Sequence, residues 1–210
     1  MINTVRIVNT YITETSINEV SSYLINNNSL KVAICNSNTV VRSYQDAELG
    51  KIINSFDIKT SDGFPVAKSS SILYKNNQTR VDGYNVFLST IRKGLSENTS
   101  HYFFGSNDYV LNKLEAQLKD IFPDINIKGS FSPPLGDYKE LAKEEYIRNI
   151  IEEKPDIVWV SLGFPKQELF IDLLQKKHAI KSNIVGVGAV FEWVAGTKIK
   201  APEFIANLGL

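Results

Sequence analysis

The chain of 210 residues predicts an α/β fold built on a mostly parallel sheet covered by helices on both faces. Short β-branched or aromatic runs alternate along the whole chain with segments of helical period. The most strand-like run, Asp156–Leu162 (DIVWVSL), is apolar through its middle, as in a strand buried from both sides. No internal repeat or low-complexity linker interrupts the alternation.

Val5–Asn9 reads as the first strand, and Ser16–Asn27 as a helix with Ile17, Val20 and Leu24 on one face. Lys31–Asn36 (KVAICN) is a buried-type strand and Asp46–Phe56 a helix. Ile58–Thr60 is a short strand that runs at once into Asp62-Gly63-Phe64-Pro65. Ser69–Asp82, polar and without a clear period, predicts a surface loop or mobile segment. Tyr84–Glu97 is helical in pattern, His101–Gly105 (HYFFG) is a strand closed by glycine, and Val110, Leu114 and Leu118 mark a helix. Ile125–Gly129 reads as a strand and Lys139–Glu153 as a charged, solvent-facing helix. After DIVWVSL, Pro165 sits in the first turn of a helix over Pro165–His178, and Asn183–Val190 is the last strand. That order describes a single Rossmann-like domain over residues 1–210.

Composition excludes more than it selects. Lys and Arg total 23, as do Asp and Glu, so no global basic field gathers nucleic acid, and no nucleic-acid partner is expected. The single cysteine, Cys35, excludes an intramolecular disulfide. With only His101 and His178 beside it, a zinc site is not expected. No run approaches the roughly 18–20 apolar residues of a membrane span. The N-terminus lacks the charged-then-apolar profile of a signal peptide, so the expected compartment is the cytoplasm.

In open α/β sheets the ligand lies beyond the carboxyl ends of the strands. The segments there are Asn36, Asp62, Gly105–Asn107, Gly129–Pro134, Gly163–Glu168 and Gly186–Glu192, rich in Gly, Ser, Asn and carboxylates. Neither GxGxxG nor GxxxxGK[ST] occurs among them. Asp62 in SDGFP reads as a helix cap or as a carboxylate at the ligand edge, and the two are compatible. In SLGFPKQE, a strand, a glycine turn and a proline-led helix suit an anion, with Gln167 and Glu168 within reach. An ordinary βα turn with Glu168 favouring the helix dipole fits equally. In GVGAVFEWVAG, Gly186 and Gly188 permit close approach to the backbone. Core packing is expected of at least one of Phe191 and Trp193, and Glu192 needs a partner among apolar neighbours. GSFSPP, with Ser132 and Pro133, is a rigid loop. Arg80 and Lys200 suit phosphate or plain solvation.

Taken in order, NSNTVV (Asn36–Val41), SDGFP, RVDG (Arg80–Gly83), FFG, GSFSPP, SLGFPKQE and GVGAVFEWVAG…KAP make the chain resemble the WecG/TagA/CpsF glycosyltransferase family over nearly its whole length. The resemblance implies an inverting, metal-independent transfer of a hexose, N-acetylmannosamine or a relative. The donor would be a UDP-sugar and the acceptor a polyprenyl-diphosphate-linked sugar, in cell-wall or surface polysaccharide synthesis. It implies no cofactor, Asp62 as general base, Asn36 near the donor, Arg80 on donor-sugar hydroxyls and Gln167 lining the same pocket. Glu192 would stand where an acidic residue meets the uracil, and Gly186, Gly188, Ser132 and Pro133 would frame the nucleotide. Three positions depart from the family pattern: Ile34 replaces a threonine, Lys200 an arginine, and Asn85 an aspartate. The sequence ends at Leu210, before the basic amphipathic tail of family members. Docking on the inner face of the cell membrane is therefore expected of a full-length protein. These 210 residues are expected to be a shortened form, soluble, homo-oligomeric and poorly active. The alternative is a non-catalytic nucleotide-sugar-binding or partner-binding module of the same fold.

Overall fold

The computed structural model describes residues 3–200. The chain opens with a hairpin, β1 (Thr4–Ile7) and β2 (Thr10–Thr13), paired antiparallel in a sheet of its own. Helix α1 (Ile17–Asn26) leads to β3 (Lys31–Cys35), then α2 (Ser37–Gln45), α3 (Ala47–Asn54), β4 (Ile58–Ser61), α4 (Phe64–Tyr74) and α5 (Gly83–Gly94). Next come β5 (Ser100–Gly105), α6 (Asp108–Ile121), β6 (Asn126–Phe131), α7 (Tyr138–Leu141) and α8 (Glu144–Glu153). The described part closes with β7 (Ile157–Ser161), α9 (Lys166–His178), β8 (Asn183–Gly186) and α10 (Val190–Val194). Strands β3 to β8 form one six-stranded sheet in the order β4-β3-β8-β7-β5-β6, and every adjacent pair is parallel.

The sheet is buried on both faces, and alternate residues of its strands feed two cores. Ala33, Tyr102, Phe104, Val158 and Val160 pack with the hairpin, α2, α3, α7, α8 and α9 on one face. Val32, Phe103, Ile157 and Trp159 pack with α1, α5, α6 and α10 on the other. Short polar side chains start the helices where the alternation breaks. Ser16 and Glu19 form a reciprocal capping box on α1, and Asn36, Asp46, Asp82 and Asn107 cap α2, α3, α5 and α6. Across one face, Asp172 of α9 accepts from Lys31 Nζ (2.9 Å) and Lys176 Nζ (2.6 Å). Burial opposes ionisation of Asp172, but these two hydrogen bonds and charges outweigh it and hold its carboxyl below the ordinary range.

Several elements differ from the expected ones. The single strand Val5–Asn9 is a hairpin, because Val8 turns with φ +56° and Arg6 fastens the turn through Val8 O (2.9 Å) and Asn9 Oδ1 (2.8 Å). The loop expected over Ser69–Asp82 is helical up to Tyr74. That helix buries a narrow face of small residues, Val66, Ala67 and Ser70, and leaves Ile72 and Leu73 exposed, so it has no clear apolar stripe. The helix expected over Lys139–Glu153 breaks at Ala142–Lys143. Leu141 and Ile147 would point about 120° apart on one continuous helix, and the break lets both enter the same core. The last strand stops at Gly186, and Val190 begins a helix.

His101 of β5 is fully buried, and Trp159 Nε1–H donates to its Nδ1 (3.2 Å). Burial pushes its pKa down to about 4, so it packs as a neutral ring.

Candidate active site

Strand β8 lies between β3 and β7 in the sheet. The chain leaves β3 and β7 for helices on one face, α2 and α9, and leaves β8 for α10 on the other. Adjacent connections that part to opposite faces open a crevice at the carboxyl ends of the strands. The candidate residues distribute along that edge.

Asp62 follows β4 directly, and its N–H donates to Cys35 O (2.9 Å), extending the ladder with β3. Residues 78–81 run beside the end of β4. Ser61 Oγ donates to Thr79 O (3.0 Å), Gln78 Nε2 donates to Ser61 Oγ (3.0 Å), and the Val81 N–H donates to Ser61 O (3.0 Å). This carries Arg80 to Asp62, where Nε donates to Oδ1 at 3.2 Å, both side chains about three-quarters covered. Burial raises the Asp62 pKa above the ordinary carboxylate value, and the charge of Asp82 adds to it. The Arg80 charge and hydrogen bond oppose that rise without cancelling it. Asp62 caps no helix. Gly63 is the N-cap of α4, at φ +86°, a left-handed position that suits glycine.

Asn36 caps α2, its Oδ1 accepting from the Thr39 N–H (3.1 Å) and Oγ1–H (3.3 Å), on an otherwise exposed residue. Asp82 caps α5 by accepting from the Asn85 N–H (3.1 Å) and Nδ2 (2.7 Å). Behind it, a Cβ on Gly83 would stand 3.4 Å from Val190 Cγ2 and 3.6 Å from both Val187 O and Ile34 Cγ1. The segment that supplies Arg80 therefore packs directly on the β8–α10 connection. Lys200 Nζ lies 4.0 Å from the centre of the Tyr84 ring, at the same end of α5. Ala201 and Pro202, the rest of the KAP block, lie outside the described residues.

The approach to Gly186 is made by the protein itself. A Cβ there would meet Gln167 Nε2 at 2.9 Å and Cδ at 3.1 Å. Gln167 is buried, with Oε1 accepting from the Gly188 N–H (3.0 Å) and Nε2 donating to Glu168 Oε1 (2.8 Å). Gly188 O accepts from Ser161 Oγ (2.6 Å), while the space beside its Cα is open within 4 Å, at φ +57°. The open space lies beside Gly188, not Gly186. Glu168 is 1 % exposed, its Oε2 has no partner, and burial pushes its pKa up to about 7, although the Gln167 hydrogen bond favours the ionised form. From the sequence, Glu168 is expected either within reach of a ligand or beside the helix dipole. Its full burial was legible only in the phase of α9, where Gln167, Phe170, Ile171 and Leu174 mark the inner stripe.

Glu192 lies on α10, partly buried, with Oε2 enclosed and unpartnered. Phe191 enters the core against Phe103 at a 5.7 Å ring separation, whereas Trp193 is only partly buried. Ser132 and Pro133 follow β6, where Ser132 Oγ donates to Ser106 O (3.4 Å). Strands β4 and β6 are the two flanks of the sheet, five spacings or about 24 Å apart. The fold thus gathers Asn36, Asp62 and Arg80 with the 186–192 segment and Gln167, and sets Ser132 and Pro133 at the far flank.

Among the described residues, no group of three or more His, Cys, Asp or Glu is placed to hold a metal ion. No helix there is long and apolar enough to cross a membrane. A cavity of about 720 Å³ opens at the amino end of the sheet, between Leu24, Thr99, Pro155, Asp156 and Ser182, away from the crevice.

Two curated bacterial proteins share sequence with this chain. One, from Bacillus spizizenii, is named N-acetylglucosaminyldiphosphoundecaprenol N-acetyl-beta-D-mannosaminyltransferase and is 28 % identical over 90 % of this chain and 72 % of its own. Its namesake from Bacillus subtilis strain 168 is 24 % identical over 85 % of this chain and 68 % of its own. The model of the glycosyl transferase WecG/TagA/CpsF family matches residues 4–210. With that match over nearly its full length, the chain belongs to the WecG/TagA/CpsF family of glycosyl transferases.

Proposed function

We propose that the crevice binds a UDP-sugar and transfers its hexose, N-acetylmannosamine or a close relative, to a polyprenyl-diphosphate-linked N-acetylglucosamine, as the relatives' names describe for them. The product is an intermediate of a cell-wall polymer. The observation that carries this reading is the Asp62–Arg80 pair at the end of β4, beside the open Gly188 turn. A largely covered carboxylate of raised pKa is a stronger base than one in water, and its position at the edge leaves it in reach of a bound sugar.

In this mechanism Asp62 takes the proton of the acceptor hydroxyl as that oxygen bonds to the anomeric carbon. The bond from that carbon to the UDP oxygen breaks on the opposite face, so the configuration inverts. UDP leaves with the electron pair, and the proton stays on Asp62. General-base catalysis supplies about 10²–10⁴-fold, or ~3–5 kcal/mol of barrier. Orientation of two large substrates supplies much of the rest.

Arg80 meets donor-sugar hydroxyls while holding Asp62, Asn36 lies near the donor, and Glu192 faces the uracil. Gly188 leaves room for the nucleotide phosphates. Gln167 acts from behind, by shaping the Gly188 turn. Gly186 makes room for Gln167, and Ser132 and Pro133 serve only a ligand extended along the whole edge. We assign no cofactor and no metal. The enzyme works at the inner membrane surface, where a lipid-linked acceptor resides.

The test is turnover of UDP-N-acetylmannosamine with a short-chain prenyl-diphosphate-N-acetylglucosamine, comparing the full-length protein with its Asp62→Asn variant. The expected result is a fall in kcat of about 10²-fold or more, with little change in donor KM. Equal kcat values would remove Asp62 from the chemistry. EDTA is expected to leave the rate intact, and a strict requirement for Mg²⁺ or Mn²⁺ would contradict the metal-free mechanism.

A further inference from the structure

Glu168 is a carboxyl at the crevice edge that the mechanism above leaves unused. It is buried at 1 % exposure, and it hydrogen-bonds through one oxygen to one neighbour, Gln167. The two ends of a glutamine amide have nearly the same shape, so partners alone decide which way it points. Here both partners demand the same orientation. The Gly188 N–H can only donate and therefore takes Oε1 (3.0 Å), which turns Nε2 to Glu168 Oε1 (2.8 Å), an acceptor both in the carboxylate and as the carbonyl oxygen of the acid. The amide lies flat against Gly186, where any side chain would strike it at 2.9 Å, so it has no room for another arrangement while both partners hold. The other side of the turn is tied by Ser161 Oγ to Gly188 O (2.6 Å).

We propose that Glu168 is a positioning residue for the donor site: its buried carboxyl orients the Gln167 amide, which fixes the Gly188 turn against which the donor rests. The link to the donor depends on the reading that the crevice binds a UDP-sugar. The relay itself does not, because it joins the first turn of α9 to the end of β8 in the protein alone. Burying a carboxyl at this point is costly, and the pKa of about 7 shows how strongly the site disfavours its charge. A glutamine at 168 would keep the acceptor oxygen and lose the charge, and a leucine would keep the bulk and lose the acceptor.

The experiment compares wild type, Glu168→Gln and Glu168→Leu in the full-length protein. Hydrogen exchange of the Gly188 amide is followed by NMR without ligand, and UDP binding by calorimetry. Glu168→Leu is expected to speed Gly188 exchange and raise the UDP Kd and donor KM about tenfold each, with kcat within twofold. Glu168→Gln is expected to restore both to within twofold of wild type. A merely structural role would lower the unfolding midpoint and leave Kd, KM and Gly188 exchange in the folded protein unchanged. Equal Gly188 exchange in all three proteins overturns the relay. Faster exchange with an unchanged UDP Kd overturns its link to the donor, as does a wild type that binds no UDP, which also counts against the donor site itself. Should Glu168→Leu fail to fold, the exchanged pair Gln167→Glu with Glu168→Gln replaces it. That pair supplies an acceptor to Gly188 and a donor between the two side chains, so it should hold UDP within twofold of wild type. A tenfold loss there overturns the proposal.

Discussion

Two buried groups, Glu168 and His101, titrate in the same pH range with opposite effects on stability. His101 has an ordinary value of 6.5 and a folded value of about 4. Between them the unfolded chain holds a proton that the folded chain lacks, so stability rises with pH. Glu168 has an ordinary value of 4.5 and a folded value of about 7. Between those the folded chain holds the extra proton, so stability falls as pH rises. Each slope is ~1.4 kcal/mol per pH unit. From pH 4.5 to 6.5 the two oppose one another, and the wild-type free energy of unfolding should change by less than ~1 kcal/mol. Asp62, also raised, adds to the Glu168 side. Removing one partner exposes the other. Over those two pH units Glu168→Gln should become about 3 kcal/mol more stable as pH rises, the sign of the His101 slope. His101→Gln, which keeps an acceptor for Trp159, should become about 3 kcal/mol less stable over the same range. Urea unfolding at half-unit pH steps reads all three curves. Parallel curves would refute the opposition, because they would mean that neither group changes its proton affinity on folding.

Other substitutions test the packing that builds the crevice. Gly186→Ala should drive out the Gln167 amide, strand the Gly188 N–H and cost about 1–3 kcal/mol in urea unfolding, with weaker UDP binding. Paired with Gln167→Ala, the same change should be nearly silent, as a double-mutant cycle would show. Gly105→Ala places a Cβ 2.3 Å from Ser161 O at φ +123°, and at least ~4 kcal/mol of lost stability, or failure to accumulate folded protein, is expected. Asp172→Ala leaves the Lys31 ammonium without its carboxylate and should lower unfolding free energy by about 2 kcal/mol at pH 7. That deficit should shrink below pH 4 as the wild-type carboxyl, held below its ordinary 3.8, also becomes protonated.

The site was legible in part. Asp62 stood out because SDGFP follows a short strand, and a carboxylate in that position reads as a cap or as an edge group. The structure decides between them, since Gly63 takes the cap and Arg80 takes the carboxylate. Arg80 itself looked like one more solvated cation in a polar loop, and only the pairing of residues 78–81 with the end of β4 brings it to Asp62. Gly186 signalled a close approach, but the approaching group is the side chain of Gln167, nineteen residues earlier in sequence, which no local pattern identifies.

Local periodicity sufficed for the fold class, most strands and the list of residues at their carboxyl ends, because alternation and helical repeat are imprinted residue by residue on a chain that buries both faces of a sheet. Strand order is another matter. Nothing in KVAICN or DIVWVSL says that β8 inserts between them, and it is that insertion which opens the crevice and sends Ser132 to the far flank. The same holds for α4, where small or polar side chains are buried by what packs over them and not by their own pattern. Long-range packing chose which edge residues share a pocket, since contact between distant segments is settled only by the free energy of the assembled core.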